Sequence, residues 1–581
     1  MVKVIGKVMD KGKRVGFLVN YNGKTSKISD DTALRLINDG RIELRHNDRG
    51  FYLTDGRYIK DLQEVELKQD KVRNESSARH QETGVTVYTG SQLKKYAQSV
   101  TDFKERDFVS EVQEYCNSNR IVAFIISGLR GVGKTTGILQ VINHINDYDK
   151  TLFININANA KIDMFGIQNI VESRKNIKYV FIDEASRIER FVGDASIIGD
   201  IWVKMGLRVV ISGTDSLALE MANDKSLYHR TNRLCVTHMN FSEAKRVLGI
   251  NMLEYIRTGG MFENCNISNL TSLKTYMETS VVDNIVNTID KNKDITGIAH
   301  LRGMSEQQIR NAVMRIIYSV IYNNVTKVKK LRVQQIISMF KHDYDKEALN
   351  SDILNELGID INVSLTVPEI QEVLDAMEKM GVLIKARNLD NIAECNYYVT
   401  NPAIVYQVIN LIYSSLHNRL ERKPNTTIRR IDGTVYESIV MTHFYYGCLY
   451  NGAKLYYYRD NQGREIDLIV EKEVFPYDLD TPEHNSYILC EIKMTDDSDW
   501  AVSKSKWIAN KDIQLDRKIA TRCIIYSGEN KQFSGYEHHS KDLNFDIEEQ
   551  NKGVSLINCE KLIKNTKEYI QTVYTHYESI C

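Results

Sequence analysis

One run of ten residues constrains this chain more than any other: Ser127-Gly128-Leu129-Arg130-Gly131-Val132-Gly133-Lys134-Thr135-Thr136. It follows an apolar run, Ile121–Ile126, and precedes a segment carrying Ile138, Leu139, Val141, Ile142 and Ile145 at helical spacing. Gly128 to Thr135 fits G-x-x-x-x-G-K-[ST] in the strand-before, helix-after context that gives the pattern its meaning. Glycines let backbone amides close on phosphate oxygens, and the helix N-terminus adds a partial positive charge. Gly128, Leu129, Arg130, Gly131, Val132, Gly133, Lys134, Thr135 and Thr136 are therefore expected to hold the phosphates of a nucleotide, read as ATP. Lys134 supplies a compact cation, and the Thr135 hydroxyl a ligand for Mg²⁺.

A second apolar run, Tyr179-Val180-Phe181-Ile182, ends in Asp183-Glu184. Taken alone, a strand ending in two acids is a core strand followed by a surface loop. Paired with the glycine loop, Asp183 is expected to hold the magnesium shell and Glu184 to polarise the attacking water. A third run ends at Gly213-Thr214-Asp215. Thr214 or Asp215 would sense the terminal phosphate, or else Asp215 or Ser216 would cap a helix starting at Leu217. Arg230 and Arg233 are candidates for an arginine finger, though each taken alone reads first as a solvated surface arginine.

Runs apolar at every position suit strands buried on both faces of a parallel sheet, so residues 87–241 read as an α/β core. Ahead of it, residues 1–66 alternate apolar and polar in Val2–Val8 and Val15–Tyr21, turn at Tyr21–Lys24, and carry a short helix, Asp31–Asn38: a small β-rich module. Residues 67–86 are polar and aperiodic, as in a linker. Residues 242–345 read as mostly helical. In 346–424, a helix Pro368–Met380 ends at Gly381, and Val382–Ala386 with Asn396–Thr400 forms a hairpin, the way a winged helix-turn-helix ends.

The 581 residues contain 42% hydrophobic and 26% charged side chains, which excludes wholesale disorder. Lys+Arg and Asp+Glu each number 76, so no global field draws the chain to a polyanion. Nine cysteines occur without a CxxC pair, pointing to a reducing, cytoplasmic setting, and no apolar run reaches the length of a membrane span.

Residues 425–581 carry a second constellation. A helix is expected from Thr434, with Glu437 on it; then come the runs Tyr456–Arg459, Gly463–Val470 (a turn that becomes a strand) and Tyr487–Lys493, a helix Ser503–Ile513 and a strand Cys523–Tyr526. Adjacent strands would bring Asp467 and Glu491 to one hard cation, with Lys493 on the same face as Glu491 to orient water. Glu437 would complete the acidic cluster. On its own, Glu-x-Lys on a strand is equally a solvated cross-strand charge pair.

Two resemblances follow from these residues. The glycine loop, Phe181–Glu184, Ile211–Thr214 and Arg233–Glu243 resemble archaeal and bacterial AAA+ ATPases related to the STAND class. That implies a P-loop NTPase core in which the glutamate after the aspartate is the catalytic base. Gly433/Glu437, Tyr457/Tyr458/Arg459, Glu465/Asp467 and Glu491/Lys493 resemble the PD-(D/E)XK restriction-endonuclease-like superfamily, specifically a domain of unknown function appended to such ATPases. That implies catalysis by Asp467, Glu491, Lys493 and Glu437, with Asp467 and Glu491 as metal ligands. Two features depart from the pattern: an acidic insertion, Glu471–Asn485, and Ile466 in place of proline.

The fold class expected is multidomain α/β: a P-loop parallel-sheet core, a helical and winged-helix-like middle, and a restriction-endonuclease-like C-terminal domain. Local charge suggests a DNA partner: eight Lys/Arg against Glu306 over 302–341, and five against Glu421 over 419–430. Such runs are also solvated helix faces. An ATPase controlling a Mg²⁺-dependent DNA endonuclease is the first reading, and a role in phage or mobile-element conflict fits the resemblance. A nucleotide-dependent switch with a non-cleaving nuclease-like fold is the second. A homo-oligomer would follow from an arginine finger acting in trans, and residues 1–66 offer a surface for a protein partner.

Overall fold

The computed structural model describes residues 2–10, 13–21, 24–47, 50–55, 57–58, 63–66, 84–227, 230–262, 267–291, 298–326, 348–360, 362–417, 424–460, 463–474, 484–505, 508, 518–528, 531–533 and 554–580. They fall into two compact units, Met1–Val87 and Tyr88–Cys581. The expected linker lies almost wholly outside the described residues, as do Asn22 and Gly23 of the expected turn.

In the first unit, the alternating segments become β1 (Lys3–Asp10) and β2 (Lys13–Tyr21), followed by β3 (Lys24–Ser29), a helix Asp30–Asn38, the hairpin β4 (Leu44–Asn47) and β5 (Gly50–Leu53), and β6 (Gln63–Glu66). Sheet order is β3-β2-β1-β6, with β6 parallel to β1. The Ser29 hydroxyl accepts from the Thr32 N–H at 3.2 Å and starts the helix. Phe17 meets Phe51 edge-on at 5.1 Å in a core that includes Val19, Ala33 and Leu44.

The second unit is built on two sheets. The first contains β7 (Val85–Tyr88), the strand within which the two units divide, β8 (Ala123–Ser127), β9 (Thr151–Ile156), β10 (Tyr179–Asp183), β11 (Arg208–Gly213) and β12 (Thr231–Cys235) in the order β12-β8-β11-β10-β9-β7. Strands β8 to β12 pair in parallel. β8 and β10 are buried at every residue and β11 at all but its first, so their centres read as apolar runs, whereas Thr151 and Asn155 interrupt β9. The first strand begins at Ala123 rather than Ile121, whose side chain is 71% exposed. β12 has no apolar run because none of its five residues is fully buried, and it escaped the sequence reading for that reason. The helix Lys134–Ile145 buries Ile138, Leu139, Val141 and Ile142 against this sheet. It also receives the helix Phe108–Asn117, and a Cβ on Gly137 would stand 2.3 Å from the Phe108 ring.

Helices follow as expected: Phe241–Leu248, Met252–Thr258, Leu270–Tyr276, Asp283–Lys291 and Glu306–Thr326, while residues 327–347 lie outside the description. The helix Val367–Lys379 carries Pro368 in its first turn and a capping box from Thr366 and Glu369. The expected hairpin forms as β13 (Leu383–Asn388) and β14 (Cys395–Val399). It is not free-standing: Arg387 and Asn388 pair with Tyr456 and Tyr457.

That pairing joins the hairpin to β15 (Lys454–Arg459), β16 (Glu465–Val474), β17 (His484–Lys493), β18 (Lys518–Tyr526), β19 (Lys531–Phe533) and β20 (Val554–Asn558). The eight-stranded order is β14-β13-β15-β16-β17-β18-β20-β19. The helix expected from Thr434 begins ten residues earlier, as a single span Pro424–Asn451. Gly433, just ahead of the expected start, lies inside it. The helix expected at Ser503–Ile513 is observed at Ser498–Lys504, with most later residues outside the description. The acidic insertion lengthens the β16–β17 hairpin without shifting it: pairing runs unbroken from Leu468↔Cys490 to Val474↔His484. Tyr574, on the helix Thr566–Ile580, clasps both strands by donating to the Val470 and Ser486 carbonyls at 2.9 and 3.1 Å.

Candidate functional site

The glycine loop leaves β8 at its carboxyl end and enters the helix through Gly133, which takes φ +87°. Gly131 is also left-handed at φ +81°. Gly128 is required for a different reason: a Cβ there would stand 2.1 Å from the Val236 carbonyl oxygen. Lys134 is folded into the loop, where its ammonium donates to the Gly128 and Leu129 carbonyls at 2.7 and 3.0 Å. Burial lowers its pKa, and the nearby Glu184 and Asp183 oppose that shift.

β10 lies two strands from β8, with β11 between them, and delivers Asp183 beside the loop. The Thr135 hydroxyl donates to Asp183 Oδ2 at 2.7 Å, and the Ser212 hydroxyl donates to Oδ1. Burial and the adjacent Glu184 raise the Asp183 pKa, while the two hydroxyls counter them. The hydroxyl of Thr135 and the carboxylate of Asp183 form a hard-oxygen pair of the kind Mg²⁺ takes, completed by water and phosphate. Glu184 adopts φ +60°, which turns its side chain out of the strand. Its Oε2 accepts from the Thr214 hydroxyl at 2.7 Å and lies 3.6 Å from Arg187 Nε. Arg187 was not expected at this site.

The two readings left open for the end of β11 divide between neighbours. Thr214 reaches the site through Glu184. Asp215 caps the helix Ser216–Ala222, accepting from the Ala218 N–H at 3.0 Å, and also receives the Thr288 hydroxyl at 2.6 Å. Burial pushes Asp215 up to about 7 from an ordinary 3.8. Between those values the unfolded carboxyl ionises while the folded one keeps its proton, so stability falls as pH rises through that window. Asp215→Asn is expected to remove a slope approaching roughly 1.4 kcal/mol per pH unit. Denaturation midpoints of wild type and variant from pH 5 to 8 check this; parallel curves would contradict it.

In the second sheet, antiparallel pairing of β16 and β17 brings Asp467 to Glu491 and Lys493. Asp467 Oδ2 accepts from the Ile492 N–H at 2.8 Å and from the Lys493 ammonium at 3.1 Å. Lys493 also donates to Glu491 Oε2. Burial, then the charge of Asp467, pushes the Glu491 carboxyl above the usual range. Burial works against the Lys493 ammonium, but the two carboxylates outweigh it and raise its pKa. Glu437 approaches from the helix Pro424–Asn451 and accepts from the Tyr398 hydroxyl at 3.2 Å. Tyr398, on β14, is held protonated by burial and by the charges of Glu437 and Asp467. It is a member of this cluster that the sequence did not announce. Among the described residues, no group of three His, Cys, Asp or Glu is placed to hold a metal.

Residues 120–245 match an AAA domain. By this match the lobe that carries the glycine loop is an AAA domain. Residues 432–541 match a domain of unknown function (DUF4143). No curated protein matches the chain. Among solved structures, the Saccharomyces cerevisiae Hsp104–ADP complex is similar at 13% identity and TM-score 0.24, over 62% of this chain and 61% of that one. The Aeropyrum pernix ORC1 protein in complex with DNA is similar at 10% identity and TM-score 0.23, over 55% of this chain and 96% of that one. The Thermotoga maritima RuvB Holliday junction branch migration motor is similar at 14% identity and TM-score 0.21, over 54% of this chain and 92% of that one. This chain thus spans 61% of the Hsp104 chain it matches.

Within the AAA domain, both arginines considered for a finger are engaged: Arg230 with Asp200, and Arg233, on β12, with Glu220. The basic run at 302–341 is also partly committed. Arg310 pairs with Glu278 and with Glu306, the latter at 3.0 Å, and Arg315 is 7% exposed. Residues 327–341 and 419–423 lie outside the description. A cavity of about 1530 Å³ between β12, the helix Val367–Lys379 and the helix Thr566–Ile580 is lined by eight carboxylates and four cations, which disfavours a polyanion there. No helix among the described residues is long and apolar enough to cross a membrane.

The AAA domain touches the C-terminal part through a buried histidine. The Phe241 N–H, a free donor in the first turn of its helix, gives its hydrogen to His443 Nε2 at 3.1 Å. His443 Nδ1 is bonded to the Ile439 carbonyl at 2.8 Å, which fixes the tautomer. Burial holds this imidazole down to about 4, so it stays neutral. His443 and Glu437 lie on the same helix, which therefore touches both the AAA domain and the carboxylate cluster of the second sheet.

Proposed function

We propose that the AAA domain binds and hydrolyses ATP with Mg²⁺, and that its nucleotide state controls a metal-dependent, PD-(D/E)XK-like DNA endonuclease site in the C-terminal part. Thr135 and Asp183 would hold the Mg²⁺ bound with ATP, and Asp467 and Glu491 a second divalent ion; such ions supply charge neutralisation on phosphate and an activated water. Lys134 neutralises phosphate charge, Glu184 orients water, and Lys493 steadies the scissile phosphate or its attacking water. The observation that carries the reading is the contact of Asp467, Glu491 and Lys493 on adjoining strands, joined to the AAA domain by the helix that bears Glu437 and His443.

A second reading, a nucleotide-dependent switch that holds DNA or protein without cutting, is favoured by the position of Lys493, whose ammonium bridges both carboxylates. Supercoiled plasmid, incubated with wild type and Lys134→Ala in Mg²⁺ or Mn²⁺ with and without ATP, separates the two. Nicking by wild type that needs ATP and is lost in Lys134→Ala supports the controlled nuclease. Intact ATP turnover with no nicking in either metal supports the switch.

A further inference from the structure

Arg106 precedes the AAA match and belongs to no phosphate-binding pattern, yet it is 7% exposed and lies against the glycine loop. Its Nη1 donates to the Val132 carbonyl at 2.6 Å and to the Thr237 carbonyl at 2.9 Å. Glu243 holds the other side of the guanidinium in a bidentate pair, Nε to Oε1 at 2.9 Å and Nη2 to Oε2 at 2.6 Å. The same Oε1 accepts from the Asp107 N–H at 2.8 Å. Beside this pair, Phe108 fills the space left by Gly137, so the segment 106–108 grips both the loop and the helix that follows it.

In a planar trans peptide the C=O and N–H point in opposite directions. Drawing the Val132 carbonyl toward Arg106 therefore turns the Gly133 N–H the other way, away from the guanidinium. Gly133, at φ +87°, has no side chain of its own to hold that orientation. We infer that Arg106, locked by Glu243, is a positioning residue for nucleotide binding: it presets the Gly133 amide toward the phosphates. The inference rests on the glycine loop being an ATP site.

Removing one partner of a buried ion pair strands the other charge, whereas replacing both with apolar residues is tolerated far better. The full chain carrying Arg106→Met with Glu243→Met is thus the chief test, with Arg106→Lys beside it should the double variant not fold. Lysine keeps a charge for Glu243 but lacks the fork that reaches Val132 at the same time. Titration calorimetry with ATP and with AMP, alongside steady-state ATP hydrolysis and melting midpoints, reads the effect. The expected result is ATP affinity weakened roughly tenfold or more in a variant that melts like wild type. KM should rise more than kcat falls, and AMP, which lacks the outer phosphates, should bind as before. A folded variant with wild-type ATP affinity, or equal losses for ATP and AMP, would overturn the inference. Wild type that binds no ATP would overturn the nucleotide site itself, and the inference with it.

Discussion

Glu184→Gln is expected to leave ATP bound and to stop its turnover. Asp183 and Glu184 are neighbours, but the structure gives them different freedom. Both oxygens of Asp183 are occupied by hydroxyls, from Thr135 and Ser212, inside a fully buried site. Glu184 has one oxygen held by Thr214, and its side chain is 13% exposed, so it keeps lone pairs for a water. Glutamine preserves the size, the left-handed backbone and an oxygen to accept from Thr214, but it cannot take a proton. Loss of a general base costs typically ~10²–10⁴-fold in rate. Single-turnover phosphate release, with nucleotide retention measured after desalting, checks both halves. Release within tenfold of wild type would remove Glu184 from its role. Lys134→Ala should instead lose ATP itself, because Lys134 is the cation buried within the loop, whereas the loop's other cation, Arg130, is exposed.

Asp467→Ala and Asp467→Asn are expected to abolish plasmid cleavage while ATP turnover stays within about twofold of wild type, on the order of a surface substitution's effect. Asp467 lies in a different sheet from the glycine loop, and its contacts include the Ile492 amide and the Lys493 ammonium. Alanine leaves the Ile492 N–H without its acceptor and opens space; asparagine still accepts from that amide and so separates chemistry from folding. Lys493→Met is the harsher change, because Asp467 and Glu491 then face each other without a cation. Stranding charge in this way costs about 3–5 kcal/mol. Gel assays of nicking, run beside phosphate release, give the answer. Cleavage retained by the folded asparagine variant would end the nuclease reading and leave the switch.

The parts of the fold legible in advance were those whose signal is local. The strands β8, β10 and β11 announce themselves because both faces are buried, and every position must then be apolar. The cap and proline of Val367–Lys379, and the alternation of β1 and β2, are likewise written within a few residues. Elements with one covered face or a competing breaker were harder. β12 has three polar or charged residues in five, and Gly433 hid the continuity of Pro424–Asn451, since a glycine inside a long packed helix costs only about 1 kcal/mol. The hairpin β13–β14 was legible as a hairpin, but its membership of the eight-stranded sheet was not.

By itself, the sequence determined the glycine loop and its carboxylate strand, because a tight turn, a cation and a helix start lie contiguous along the chain. It also determined the Glu-x-Lys face of β17, because period two along a strand aligns residues 491 and 493 whatever surrounds them. Tertiary structure alone decided which side chains hold those pieces in place. Arg106 meets Glu243 across 137 residues, the Phe241 amide meets His443 across 202, and Tyr398 meets Glu437 across 39. Each is a buried polar group satisfied by a partner remote along the chain. The need for a partner is set by desolvation, which any buried polar residue shares; which partner meets it is set by how the sheets and helices pack, and that leaves no local pattern to read.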